Sequence, residues 1–145
     1  MRRVGNVIDR ETLHGRARAL EVLAEAAQAA LGAEAWLAGA HGGTAAPRAD
    51  PSGRGYHFSL SRSCRCEPGA DRVMAQAAEA HAALAAAGCE VEDRVFGGGE
   101  SIWVIAVKDG DQIVVKLASN GNRLVTAESR DYDDAGIDEV ATAFS

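Results

Sequence analysis

From Asp9 onward the apolar residues Leu13, Ala17, Leu20, Ala24, Ala27 and Leu31 recur at spacings of three and four, which draws one stripe along a helix. Asp9 can cap that helix, and Gly32 suits the left-handed position just past its end. Arg10, Arg18, Glu21, Glu25 and Gln28 fill most of the remaining surface. Trp36 and Leu37 follow and are expected to tie the helix end to the core. The period then changes. In Tyr56-His57-Phe58-Ser59-Leu60-Ser61 apolar and polar residues alternate strictly, which predicts an edge or half-exposed strand.

A second helix is predicted from about Pro68–Asp71 to Gly88. Nine of the thirteen residues from Ala75 to Ala87 are alanine, so helix propensity is high while apolar area per residue is small. Such a smooth face allows close approach to a sheet, with Val73 and Leu84 fixing the register. Four strand-like runs follow: Cys89 to Phe96, Ile102 to Val107, Gln112 to Ala118, and Arg123 to Ser129. The second is apolar on both faces and reads as a central strand anchored by Trp103. Gly97-Gly98-Gly99 separates the first pair. Asp109-Gly110 and Asn120-Gly121 are expected to form two tight hairpins of the same kind.

Consecutive hairpins make a meander whose apolar face must be covered. The expected fold is therefore α+β, a two-layer sandwich: an antiparallel meander sheet of four to five strands with two helices packed on one face. One domain is expected overall. It comprises an N-terminal helix (residues 1–38), a flexible Gly/Ala/Pro linker or loop (39–55), a helix-plus-sheet core (56–130) and an acidic tail (131–145). The linker expectation rests on five Gly, four Ala and two Pro within 39–55, which offer little to bury against the entropy of ordering. The tail ends in a short helix candidate from Ile137 to Phe144.

Length and charge narrow the function classes. A chain of 145 residues can bury a core without help from a metal or a disulfide. Residues 1–72 carry ten Lys/Arg against eight Asp/Glu, whereas residues 73–145 carry five against thirteen, giving +2 and −8 and the net −6. That field repels phosphate backbones, and the basic cluster of Arg62, Arg65 and Arg72, with Arg54 near it, lacks interleaved aromatics. Nucleic acid is not an expected partner. No run approaches the ~20 apolar residues of a membrane span. Met1-Arg2-Arg3-Val4-Gly5-Asn6 has no apolar stretch behind it, so the chain as written reads as cytoplasmic.

Candidate chemistry is sparse. Cys64, Cys66 and Cys89, with His57 or His81, are the only soft-ligand set, but Cys64-Arg65-Cys66 is tighter than the two-to-four-residue spacing of zinc pairs. A thiol nucleophile assisted by His57 or His81 has Arg62 and Arg65 nearby to favour a thiolate, yet no third, orienting group. Reduced thiols are the expectation in a cytosolic chain. An alternative is a disulfide from Cys64 or Cys66 to Cys89, with the two neighbours turned opposite ways so that only one faces a given partner. Gly97-Gly98-Gly99-Glu100 precedes a strand and cannot cradle phosphate at a helix start. His41-Gly42-Gly43 lacks the G-x-S-x-G of an esterase. Asp131, Asp133 and Gly136 match three positions of a calcium loop, but Ala135 and Thr142 occupy two ligand positions. The tail is better read as solvated, or docked on Arg62 and Arg65. His14 and His81 read as partly exposed surface histidines. No cofactor is expected.

The order of elements, with Ala86-Ala87-Gly88-Cys89, Val95-Phe96-Gly97-Gly98-Gly99 and Ser119-Asn120-Gly121-Asn122-Arg123-Leu124, resembles small uncharacterised lipoprotein-type domains of actinobacteria. The resemblance implies an extracytoplasmic cell-envelope domain whose leader is missing and whose cysteines then pair, and it brings no catalytic residues. The residues themselves favour a non-enzymatic, acidic binding module for a protein partner, for example of the immunity or inhibitor type. A thiol-dependent enzyme is the remaining alternative. The expected interaction surface is Arg62, Arg65, Lys116 and Val114. The last two share one strand face, expected beside Val104 and Ile102.

Overall fold

The computed structural model describes residues 8–32, 36–38, 44–52 and 54–145. Met1–Asn6 and the His41-Gly42-Gly43 run lie outside them. Helix α1 spans Arg10–Leu31, with the Asp9 carboxylate accepting from the Glu11 N–H and Gly32 in the left-handed conformation. Its buried stripe is Leu13, Ala17, Leu20, Leu23, Ala24, Ala27 and Leu31, the one anticipated with Leu23 added. Helix α2 spans Ala70–Ala86 and buries Val73, Gln76, Ala77, Ala80 and Leu84. A short α3, Ile137–Thr142, ends the chain.

Among the described residues seven strands build one antiparallel sheet: β1 (Leu37–Ala38), β2 (Ala46–Ala49), β3 (Tyr56–Arg65), β4 (Glu90–Phe96), β5 (Ser101–Lys108), β6 (Asp111–Ala118) and β7 (Asn122–Glu128). The order is β1-β3-β7-β6-β5-β4, with β2 also pairing with β3. It is six strands wide, not four to five, because β3 joins the meander as an interior strand against β7 while β1 and β2 share its other side. Alternation in Tyr56–Ser61 marked one face as wet, and a wet face is compatible with an interior position when a sheet is covered on one side only. Four antiparallel steps separate β3 from β4, so the two run parallel, and α2 carries the chain between them over the meander.

β2 falls inside the segment expected to be a linker. Small residues suffice there because an added strand gains backbone hydrogen bonds from an existing partner, and Ala45 and Ala46 are buried with no large side chain required. Pro47 fits an edge strand. Trp36 packs against the core, whereas Leu37 is 69% exposed and ties nothing down.

The two hairpin turns differ. Asp109 and Gly110 both have positive φ, 51° and 87°, as a two-residue turn matching strand twist requires. Around Asn120 only Gly121 does, at 102°, and its N–H donates to Ala118 O, so this is a longer turn closed by a left-handed glycine.

Register fixes which side the helices cover. Phe58 and Leu60 of β3, Val125 and Ala127 of β7, Ile113, Val115 and Leu117 of β6, and Ile102, Val104 and Ala106 of β5 form one buried face. Both α1 and α2 lie on it, α1 over β7, β3 and β6, and α2 over β5, β4 and β6. Ala77 and Ala80 bring α2 close to the sheet, with Val73 and Leu84 fully buried at either end.

Candidate functional site

Among the described residues no helix lies on the opposite face of the sheet. Cross-strand pairing places Arg94, Trp103, Lys116, Leu124 and Ser63 in one row, and Glu92, Ile105, Val114, Thr126 and Ser61 in the next. The Lys116 ammonium sits 4.2 Å from the Trp103 ring centroid, and Phe96 and Trp103 have centroids 5.0 Å apart. Phe96 and Val107 remain 42% and 41% exposed. Toward β3 the face becomes hydroxylic: Ser59, Ser61 and Thr126, with Arg48 and Glu128, line a shallow depression of about 330 Å³, and Arg48 Nε donates to Ser59 Oγ at 2.7 Å.

Lys116 and Val114 do share this face, but beside Trp103 and Ile105 rather than Val104 and Ile102. A shift of one residue in the assumed register exchanges the two faces completely. Arg65 is exposed on the open side by parity. Arg62 lies on the helix side, where its Nη1 donates to Gln28 Oε1 at 2.6 Å and sits 3.9 Å from Glu25. It therefore does not belong with Lys116 and Val114. The apolar character of β5 on both faces comes from one buried face and one half-covered one, not from burial between two layers.

The structure separates the cysteines. Cys89 precedes β4 at one edge of the sheet, and Cys64 lies near the end of β3 four strand spacings away, about 19 Å across the sheet alone. No disulfide joins either neighbour to Cys89 in this arrangement. All three thiols are free. Cys64 and Cys66, by contrast, are in side-chain contact on one side of the chain; residues two apart on an extended segment point the same way, not opposite ways. Burial, with Cys66 adding to it, pushes the Cys64 thiol up to about 11, and burial also raises Cys89. His57 is seven residues from Cys64, about 23 Å along β3, and on the other face. Its Nδ1 lies 3.8 Å from Asp131 Oδ1, too long for a hydrogen bond. Among the described residues no group of three or more His, Cys, Asp or Glu side chains could hold a metal ion.

The other two described histidines have partners that sequence alone did not reveal. His81 on α2 donates from Nδ1 to Asp93 of β4 at 2.9 Å. His14 stacks on Phe144, ring centroids 4.2 Å apart, and its Nε2 donates to Ala143 O. The acidic tail docks, but not on Arg62 and Arg65. Tyr132 bridges Tyr56 through two backbone hydrogen bonds, and Asp134 accepts from the Tyr56 hydroxyl at 2.8 Å and from Arg16 Nη1 at 2.8 Å. Partial burial works to raise the Asp134 carboxyl, but the bonds from Tyr56 and Arg16 outweigh it and hold the group below its usual value.

One group went unnoticed in the sequence. Arg123 is 1% exposed, between the sheet and α2. Its Nε donates to Gln76 Oε1 at 2.6 Å and its Nη1 to the carbonyls of Ala118 and Asn122, while Nη2 has no partner. Gln76 in turn donates to Leu31 O, satisfying a carbonyl at the end of α1. Burial lowers the guanidinium pKa, an effect opposed by Cys66 and Cys64. Parity was the available signal: Arg123 precedes Val125 and Ala127 at period two, and Gln76 lies on the Val73–Ala80 stripe.

Among the described residues no helix is long and apolar enough to cross a membrane. No protein-family model matches the chain, and no curated protein or solved structure matches it either.

Proposed function

We propose that this protein is a binding module that engages another protein through the helix-free face of its sheet, with Trp103 at the centre. The observation that carries the reading is the cluster of Phe96, Trp103, Ile105, Val107 and Val114 on that face, with Lys116 beside it on β6 and Glu90, Glu92 and Arg94 beside it on β4, Arg94 paired to Glu92 at 3.2 Å. An apolar centre with an aromatic anchor and a charged rim is how protein interfaces are built. The hydroxyl-lined half over β3 and β7 adds donors and acceptors without adding bulk. Strand addition at an edge is a weaker reading. The outer strand β4 carries Glu90, Glu92, Asp93 and Arg94, and β2 carries Pro47, both devices that discourage edge pairing.

The test is capture from a lysate of the native host at low salt, comparing the wild-type chain with a Phe96→Ser/Trp103→Ala double variant whose fold is checked by circular dichroism. A partner held by the wild type and lost by the folded variant supports the reading. No partner at low salt, or a partner held equally by both, overturns it.

A further inference from the structure

Cys64 and Arg123 are directly opposite each other in the β3–β7 ladder, and Cys66 follows on the same side at the strand end. Cys64 is 4% exposed and Cys66 is half-buried. Facing them is a guanidinium that is almost wholly buried, has no carboxylate partner among the described residues, and keeps Nη2 unpaired. A buried cation in that state lacks an anion.

We propose that Cys64 and Cys66 form a two-coordinate thiolate site for a soft monovalent cation, copper(I), with Arg123 as the counter-charge. On binding, each thiol releases its proton to solvent and one metal–sulfur bond forms at each sulfur, with no change of oxidation state. Two thiolates and one monovalent ion leave a charge of −1, which the guanidinium offsets. Soft thiolates select copper(I) among the common metals. Zinc would make the same pair neutral and would demand two further ligands, which the described residues do not supply.

Geometry separates this site from a disulfide. Residues two apart on an extended strand have Cα atoms about 6.6–6.8 Å apart, at the upper limit of the ~4.4–6.8 Å that a disulfide tolerates. The backbone there has little freedom to adjust: the Cys66 N–H donates to Gly121 O at 2.8 Å, and Cys66 O packs against the α-carbon of Gly121 so closely that a Cβ would lie 2.3 Å from it. An ion with metal–sulfur bonds of ~2.3 Å, taking the zinc value as a guide, spans two sulfurs about 4.5 Å apart, a far wider gap than the ~2 Å sulfur–sulfur bond of a disulfide. A disulfide would also be neutral and leave Arg123 uncompensated.

The experiment is an anaerobic titration of the full-length chain with copper(I) delivered from a chromophoric chelator, read as chelator competition, with X-ray absorption on the loaded wild type. One equivalent bound, with two sulfur neighbours and no nitrogen or oxygen, is expected. Cys64→Ser and Cys66→Ser each abolish competition, Cys89→Ser retains it, and Arg123→Met weakens it at least tenfold while Arg123→Lys largely restores it. The absorption measurement on the wild type stands even if Arg123→Met folds poorly. Failure to compete, dependence on Cys89, or nitrogen ligation overturns the proposal. So does a chain that refuses copper(I) but loses two thiols and 2 mass units with oxidised glutathione, which would make the pair a redox disulfide.

Discussion

Replacing Gln76 by Leu keeps side-chain size and helix propensity but removes the middle of the relay from Leu31 O through Gln76 to Arg123. Arg123 Nε then joins Nη2 as a second unpaired donor on a buried cation, and Leu31 O loses its donor. Leaving a donor of a buried cation without its acceptor costs about 3 kcal/mol, the upper end of the range for a buried polar group left unsatisfied. The Leu31 carbonyl adds little, because it lies at a helix end beside exposed Gly32. Arg123→Met removes the cation itself, so the cost is that of orphaning Gln76 Oε1, about 1–3 kcal/mol, less the relief of the unpaired Nη2, while the Ala118 carbonyl keeps its bond from the Gly121 N–H. In the double variant both partners are gone and two apolar side chains meet. Its destabilisation should fall short of the sum of the singles by at least about 1.5 kcal/mol. Urea unfolding followed by circular dichroism measures all four corners of the cycle. For a chain of this size Gln76→Leu should lower Tm by roughly 10 °C. Additivity within about 0.5 kcal/mol, or Arg123→Met costing more than Gln76→Leu, would mean that the relay does not couple the two side chains.

Gly121→Ala should cost about 3 kcal/mol or more, since its Cβ would meet Cys66 O at 2.3 Å on top of a φ of 102°, whereas Gly98→Ala meets nothing within 4 Å and should cost only the ~1–2 kcal/mol of a left-handed residue. Equal melting temperatures for the two variants would contradict this. Asp134 titrates below its ordinary value in the folded chain, so the stability it contributes is present above the normal carboxylate range and is lost as pH falls through the depressed folded value. Asp134→Asn should therefore remove part of the acid-side slope of stability against pH without changing the slope above neutrality; identical acid limbs for wild type and variant would argue against a docked tail.

What could be read in the sequence was whatever is local. The α1 stripe, its Asp9 and Gly32 ends, and the Asp109-Gly110 turn each depend on residues a few positions apart, and all are present. Pairing across long sequence distances was not readable. Nothing near Tyr56–Arg65 says that its partner is Asn122–Glu128, and without that pairing β3 looks like an edge. The faces of β5 and β6 were exchanged because hairpin register depends on turn length to the residue, and the Asp109-Gly110 turn pairs Lys116 with Trp103 rather than with a core position. The Ala45–Ala49 segment was missed for a different reason. Composition measures what a segment can bury by itself, while β2 is held by backbone bonds to a strand already in place.

The candidate site was half legible for the same reason. Lys116 and Val114 were recognisable as sharing one face of a strand, while Arg123 announces itself only once Val125 and Ala127 are known to face inward. Adjacent residues on a strand point to opposite sides, so β7 puts Arg123 against α2 and Leu124 on the open face, and β3 puts Cys64 on the first side and Ser63 on the second. The proposed thiol site, on β3 and β7, and the proposed Trp103 surface, centred on β4, β5 and β6, thus lie on opposite faces of one sheet. Cys64→Ser should leave capture by the open face unchanged, and Phe96→Ser/Trp103→Ala should leave copper(I) competition unchanged. If loading with copper(I) nevertheless alters partner capture, the coupling runs through β7, where Arg123 and Leu124 are bonded neighbours. Arg123→Met should then sever it while leaving Trp103 in place.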